Sequence, residues 1–305
     1  MFRTVIIREG EKVKVKNNWL VVMEGEGEHK IPIEDIYSVV IDNQQTIITL
    51  PAVNALAKSG AHILLCDDTH IPAVEILPLN SHYRPLNVLR KQLLMSEEFK
   101  DDIWEIIIKA KIYNQAKTME YLGASLEKRD CLYKWMEEVE SGDIGNREAI
   151  SAKLYFHSIF GSNFLRFNDD AINGALNYGY AIIRSAVAKT LVAYGYNCVI
   201  GIHHINEYNP FNLADDLMEP LRPLVDRWVD ENAEDLFGGL TSQQRKEIIN
   251  LTNNYVLIDN KKMKVINAID RYIASFSTVM TTGDISKLKI PYMIRNNFIL
   301  EEWNE

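Results

Sequence analysis

Short apolar runs separated by polar residues dominate the first part of the chain. Val13 and Val15 alternate with lysines, as the two faces of a half-buried strand do. The dipeptide Asn17-Asn18 is a turn signal, and an apolar run resumes at Trp19. The pattern predicts strands over residues 2–7, 13–15, 19–23, 30–33, 36–41, 46–49, 61–65 and 73–77.

One segment inside this region has helical character. Pro51 suits the first turn of a helix, and Gly60 suits the residue that follows one. Between them, Val53, Leu56 and Ala57 fall on one helical face. We therefore expect one short helix in an otherwise strand-rich region.

The periodicity changes after Pro78. Residues 79–85 contain Asn, Ser, His and Pro and are typical of a linker. Ile103 and Ile107 then begin a helical spacing, and similar patterns predict helices over residues 121–140, 146–160, 171–194, 221–228, 242–254 and 262–280. The predicted fold class is α+β. A β-rich, sandwich-like domain over residues 1–78 precedes an all-α domain over residues 86–305.

Composition limits the class of protein. The 305 residues are 47% hydrophobic and 25% charged, as in ordinary globular proteins. The formal charge of −9 argues against a uniformly basic nucleic-acid coat, although it leaves room for a local basic face. Cys66, Cys131 and Cys198 form no C-x-x-C pair, which favours reduced thiols over a zinc site. Without a long apolar run, we expect a cytoplasmic protein with no membrane partner.

The densest group of chemically active residues lies in the second half. His203 and His204 precede a loop, and Asp216 and Glu219 follow it, three residues apart. On a helix both carboxylates would share a face, and Pro220 would place them near the helix N-terminus. Oxygen ligands with an imidazole suit Mg²⁺ or Mn²⁺.

A structural interpretation of these acids stays open. Acidic residues near a helix start complement the helix dipole without any ligand. The same holds for Glu148, in a helix that Asn146 is placed to cap. P-loop, G-x-G-x-x-G, G-x-S-x-G and H-E-x-x-H motifs do not occur in the sequence.

Several segments together resemble one family. They are residues 64–68, 146–148, 152–156, 172–180, 201–204 and 212–226, and their order and spacing are far more specific than any one of them. The chain resembles, over essentially its whole length, the CRISPR-associated integrase of spacer acquisition. The Met-Glu-Pro-Leu-Arg-Pro form of residues 218–223 and the chain length are similar to the type II-A branch.

The resemblance implies a dimerising β-domain and a helical catalytic domain with metal-dependent endonuclease activity. It places the metal ligands and catalytic residues on Glu148, His204 and Glu219, with Asp216 as a further ligand candidate and Mg²⁺ or Mn²⁺ as the cofactor. His204 is chosen over His203 because it ends the glycine-x-x-histidine motif. The implied reaction is transesterification, in which the 3′-OH ends of a prespacer attack phosphodiesters at the repeat borders of a CRISPR array.

The resemblance also implies partners. These are double-stranded prespacer DNA, leader–repeat DNA, a second copy of the chain, and a small ferredoxin-fold adaptation protein in a four-plus-two complex. The effector nuclease and an accessory adaptation protein are further candidates. Arg147, Arg166 and Arg222 are candidate DNA contacts, with internal salt bridges as the alternative for Arg147 and Arg222. We expect Arg and Lys to concentrate on one surface of the helical domain.

Two other functions stay open on the sequence. One is a non-catalytic scaffold that captures DNA and uses the carboxylates structurally. The other is a general repair nuclease that acts without a CRISPR array.

Overall fold

The computed structural model describes residues 3–9, 12–78, 82 and 84–295. The chain divides into two compact units, Met1–Tyr83 and Arg84–Glu305. Residue 2 of the first predicted strand and residues 79–81 and 83 of the predicted linker lie outside the described residues.

The first unit is built from strands and one helix. Its elements are β1 (Arg3–Ile7), β2 (Lys12–Lys16), β3 (Trp19–Glu24), β4 (Gly27–Pro32), β5 (Ile36–Ile41), β6 (Ile47–Ile48), α1 (Leu50–Lys58), β7 (His62–Cys66) and β8 (Pro72–Ile76). One sheet has the order β1-β5-β7-β8 and the other the order β4-β3-β2-β6. Val13, Leu20, Ile36 and Ile63 come from the two sheets and share one buried apolar cluster with Leu56 of α1. The sandwich-like β-domain is thus confirmed.

Local turn chemistry explains two boundaries in this unit. Asn17 and Asn18 both have positive φ, which the tight hairpin between β2 and β3 requires. Gly60 follows α1 with φ +80°, a conformation that costs glycine little. Both turns lie where the sequence predicts them.

The second unit is mainly helical. Its elements are α2 (Pro85–Leu93), α3 (Glu97–Tyr121), α4 (Leu126–Glu137), α5 (Arg147–Ile159), α6 (Ala171–Ala193), α7 (Asn212–Met218), α8 (Arg222–Glu231), α9 (Ser242–Asn250), β9 (Tyr255–Ile258), β10 (Lys261–Lys264) and α10 (Val265–Thr282). The predicted α+β class is confirmed. The second unit also contains the β9–β10 hairpin, so it is not purely α-helical. Within the described residues, none of the helices has both the length and the apolar character needed to cross a bilayer.

Two long helices form the centre of the second unit. Both α3 and α6 bury residues on most of their circumference. Helix α6 approaches α8 at Gly179, where an added Cβ would collide with the side chain of Val225. A glycine is therefore required for this close approach.

Substituting Gly179 tests this packing. Gly179→Ala should lower the free energy of unfolding by about 1–3 kcal/mol, because the added methyl group overpacks the α6–α8 contact. Gly174→Ala is the matched control, since its Cβ meets nothing within 4 Å and should be neutral or slightly stabilising. Urea unfolding of both variants measures the difference, and equal midpoints would contradict the proposed contact.

Candidate active site

Helix α3 carries three side chains that organise the candidate site. Trp104, Lys111 and Asn114 are all buried and recur at spacings of seven and three residues, so they share one helical face. Trp104 contacts the histidine pair, whereas Lys111 and Asn114 both contact the segment that begins at Glu219. The site is therefore assembled against the buried face of α3.

Glu148 lies in the first turn of α5, as predicted, but the cap of this helix differs from the prediction. Asn146 has a left-handed conformation with φ +50° and makes no side-chain cap. Asp143 caps the helix instead: its Oδ1 accepts from the amide of Arg147 at 2.8 Å, and its Oδ2 from the amide of Glu148 at 3.0 Å. A carboxylate thus satisfies the free amides at the positive end of the helix and fixes the backbone of Glu148.

Glu219 lies between two helices and not on a continuous one. Asp216 lies within α7, whereas Glu219 begins a 3₁₀ turn, Glu219–Leu221, that leads into α8. The prediction that both carboxylates lie at a helix N-terminus is wrong for Asp216. Pro220 suits the first turn of the 3₁₀ segment, and its carbonyl accepts from Asn114 Nδ2 at 2.7 Å. Helix α3 thereby holds the Glu219 turn in place.

Lys111 joins the two glutamates. Its Nζ lies 2.6 Å from Glu148 Oε1 and 2.5 Å from Glu219 Oε2, and Arg222 Nε donates to Glu219 Oε1 at 2.8 Å. Burial alone would raise the pKa of Glu219, but Arg222 and Lys111 lower it to about 2. Burial alone would lower the pKa of Lys111, but the charges of Glu219 and Glu148 raise it above its ordinary value. Glu219 and Lys111 are thus both charged at neutral pH.

Asp216 orients His204. Its Oδ2 accepts from the amides of Ile202 at 2.6 Å and His203 at 3.0 Å, and its Oδ1 from the amide of His204 at 3.0 Å and from His204 Nδ1 at 2.5 Å. The hydrogen bond to Asp216 raises the pKa of His204. A buried carboxylate on Nδ1 fixes the ring and leaves Nε2 as the nitrogen for a ligand.

The neighbouring histidine has another environment. His203 stacks face to face on Trp104, with ring centroids 4.2 Å apart and an interplanar angle of 1°. His204 meets the same indole edge-on at 5.9 Å. Trp104 therefore supports both rings, while the carboxylate contact belongs to the His204 ring.

The donor set is suitable for a hard divalent cation. Two carboxylates and one imidazole have the chemistry of such a site, and the Lys111 ammonium already lies between the carboxylates as a positive charge. Among the residues that the structure describes, no three His, Cys, Asp or Glu side chains are grouped closely enough to hold a metal ion. The carboxylates face the ammonium instead, so Glu148, Glu219 and His204 would have to close around a metal.

The three candidate DNA-contacting arginines all have partners within the second unit. Arg147 forms a salt bridge with Glu138 at 2.8 Å, and Arg222 forms one with Glu219. Arg166 donates to the side chains of two asparagines on α6, Asn173 and Asn177. The internal salt bridges expected as an alternative for Arg147 and Arg222 are thus present. A DNA contact by any of the three stays a prediction.

A buried polar cluster contacts Arg222. Its guanidinium lies 4.6 Å from the ring centroid of Tyr180, whose hydroxyl donates to Asp226. Burial raises the pKa of Asp226 to about 7, although the hydrogen bond from Tyr180 acts in the opposite direction. The cluster ties α8 to α6 beside Arg222.

The family assignment follows from sequence comparison. The family described as CRISPR associated protein Cas1 matches residues 4–270. The chain belongs to the Cas1 family. It is 38% identical over 295 residues to a protein named CRISPR-associated endonuclease Cas1 from Neisseria meningitidis serogroup C (strain 8013), covering 96% of this chain and 97% of that one.

Solved structures show the same Cas1 fold at lower identity. A casposase bound to integration product superposes with a TM-score of 0.72 at 18% identity, covering 100% of this chain and 96% of that chain. A Cas6-RT-Cas1–Cas2 complex gives a TM-score of 0.72 at 19% identity, covering 94% of this chain and 36% of that chain. These likenesses extend the fold to proteins whose sequences have diverged widely.

Sequence reasoning missed Lys111, Asp143 and Asn114. A signal for Lys111 existed, because it follows Ile107 by four residues and so lies on a predicted apolar face. A lysine at such a position needs a buried partner. The partners themselves come from α5 and the 3₁₀ turn, which no local pattern connects to α3.

Gly201 provides a test of the His204 geometry. A Cβ at this position would collide with the backbone oxygen of His204 and lie 2.8 Å from Asp216 Oδ2. Gly201→Ala should therefore displace His204 and lower the free energy of unfolding by about 1–3 kcal/mol. NMR of the His204 ring and urea unfolding would measure both effects. An unchanged ring environment would show that the collision is relieved elsewhere.

The raised pKa of Asp226 predicts that the stability of the fold depends on pH. Between its ordinary pKa of about 4 and its folded value of about 7, the folded state binds more protons than the unfolded state, so stability falls as pH rises. Asp226→Asn removes this titration. The free energy of unfolding of the variant, relative to the parent, should increase by about 2–3 kcal/mol from pH 5 to pH 8. Parallel pH profiles in isothermal urea unfolding would contradict the raised pKa.

Proposed function

We propose that the chain is a metal-dependent DNA endonuclease and integrase of CRISPR spacer acquisition. The observation that supports it best is the pairing of Glu148 with Glu219 from separate segments of the second unit, together with a carboxylate-oriented His204 in the same unit. Glu148 and Glu219 contact the same nitrogen, and the charge of Glu219 contributes to the raised pKa of His204. The name of the Neisseria relative supports the endonuclease activity, and the casposase bound to integration product supports integration.

Each residue has a distinct role in the proposed chemistry. Glu148 and Glu219 supply oxygen ligands and His204 its Nε2 to Mg²⁺ or Mn²⁺, which would stabilise negative charge on a phosphodiester under attack by a DNA 3′-OH. Asp216 holds His204 in the ligating orientation. Because Asp216 accepts hydrogen bonds from three backbone amides and one imidazole, we assign it positioning and not direct ligation.

The proposed partners are prespacer DNA, leader–repeat DNA, a second copy of the chain through its β-domain, and a small ferredoxin-fold adaptation protein in a four-plus-two complex. The likeness to the Cas6-RT-Cas1–Cas2 complex supports a Cas2-type partner. The effector nuclease, the accessory adaptation protein, the type II-A assignment and the cytoplasmic location stay predictions.

Site variants test the catalytic proposal. With the adaptation partner, prespacer DNA, a repeat-containing plasmid and Mn²⁺, Glu148→Gln, His204→Ala and Glu219→Gln should each lower integration about 100-fold or more, because each removes a metal ligand. Glu98→Gln, on the exposed start of α3, is the matched control and should integrate like the parent. Gel analysis of strand-transfer products measures the rates.

The same assay separates the two other functions. Unchanged integration by all three variants would favour a scaffold whose carboxylates are structural. Equal activity on random branched DNA and on leader–repeat junctions would favour a general repair nuclease.

A further inference from the structure

Lys111 is a cation built into the place where the proposed function needs a metal. Its side chain is only 10% exposed, and that of Glu219 only 3%. The ammonium contacts one oxygen of each glutamate, at 2.6 and 2.5 Å. We propose that Lys111 holds Glu148 and Glu219 together in the metal-free protein and that a divalent cation must displace it. This inference rests on the proposed metal site.

The need for such a counter-cation follows from burial. Glu219 is buried beside the partly buried Glu148, so the two carboxylates repel each other and Glu219 loses most of its hydration. Both costs fall when a cation lies between them. Arg222 contacts Oε1 of Glu219, whereas Lys111 contacts its Oε2 as well as Glu148. Lys111 is therefore the cation that couples the two helical segments.

Displacement follows from the distances. A divalent cation held by Glu148 and Glu219 would need carboxylate oxygens that the ammonium contacts, so the two cations would compete for them. Lysine has a long, flexible stem with a point charge at its end, and it can withdraw along that stem. Arg222 is less free to move, because its guanidinium lies against Tyr180. Metal binding should therefore exchange one cation for another at the same carboxylates.

The exchange predicts opposite effects on stability and metal affinity when Lys111 is replaced. In the full-length protein without DNA, Lys111→Met should lower the melting temperature in EDTA by about 5 °C or more, because a buried ion pair is broken. The same variant should bind Mn²⁺ about tenfold or more tightly, because no ammonium competes. Calorimetric titration with Mn²⁺ and thermal unfolding measure the two quantities.

Two further variants complete the experiment. Lys109→Met is the matched control on the same helix, because Lys109 forms an ordinary pair with Glu105 on a partly exposed face and should leave Mn²⁺ affinity unchanged. Lys111→Gln keeps a hydrogen-bond donor but removes the charge, so it should also bind Mn²⁺ more tightly than the parent. It takes the place of the methionine variant if that variant does not fold. Mn²⁺ affinity that is equal to or weaker than that of the parent in the folded Lys111 variants would overturn the proposal.

Glu148→Gln separates this proposal from the function on which it rests. If the parent binds Mn²⁺ and Glu148→Gln abolishes binding while the Lys111 variants leave affinity unchanged, the metal site is right and the role of Lys111 is wrong. If Glu148→Gln leaves Mn²⁺ binding unchanged, the metal site itself is wrong.

Discussion

Two glutamates that share one buried ammonium, Glu219 buried and Glu148 partly exposed, set the main constraint on the helical unit. Glu148 and Glu219 come from different segments, so their approach must be compensated electrostatically and held by the backbone around them. Lys111 supplies the charge. Asp143 fixes the start of α5, and Asn114 fixes the turn of Glu219. The buried face of α3 therefore carries the polar side chains of Lys111 and Asn114 among its apolar ones.

Positioning and chemistry are assigned to different carboxylates. Asp216 is fully buried, and its oxygens are occupied by backbone amides and His204. Such a carboxylate has little capacity left for a ligand but controls the orientation of the imidazole. Glu148 and Glu219 instead meet the side-chain cation of Lys111, which another cation can replace. Sequence spacing alone treats Asp216 and Glu219 as equivalent acids, and it is their hydrogen-bond partners that distinguish them.

The features predicted from sequence are those encoded by neighbouring residues. Asn17-Asn18 specifies a hairpin and Gly60 a helix end through their own backbone preferences, so both are readable locally. The β9–β10 hairpin is not among the predicted elements: the predicted helix over residues 262–280 overlaps β10, and no element is predicted over residues 255–261. The Lys111 bridge was also missed. Its partners lie 37 and 108 residues away, and a single sequence carries no signal that pairs them.

The contacts also change the interpretation of the net charge. Site carboxylates that await a metal would explain part of the formal charge of −9. Yet Glu148 and Glu219 are already balanced by Lys111 and Arg222, so this cluster adds nothing to the net charge. The acidity therefore belongs to the rest of the chain. Since Arg222 is also committed to Glu219, attraction of a DNA phosphate depends either on a cation added to this neutral cluster or on basic side chains outside it.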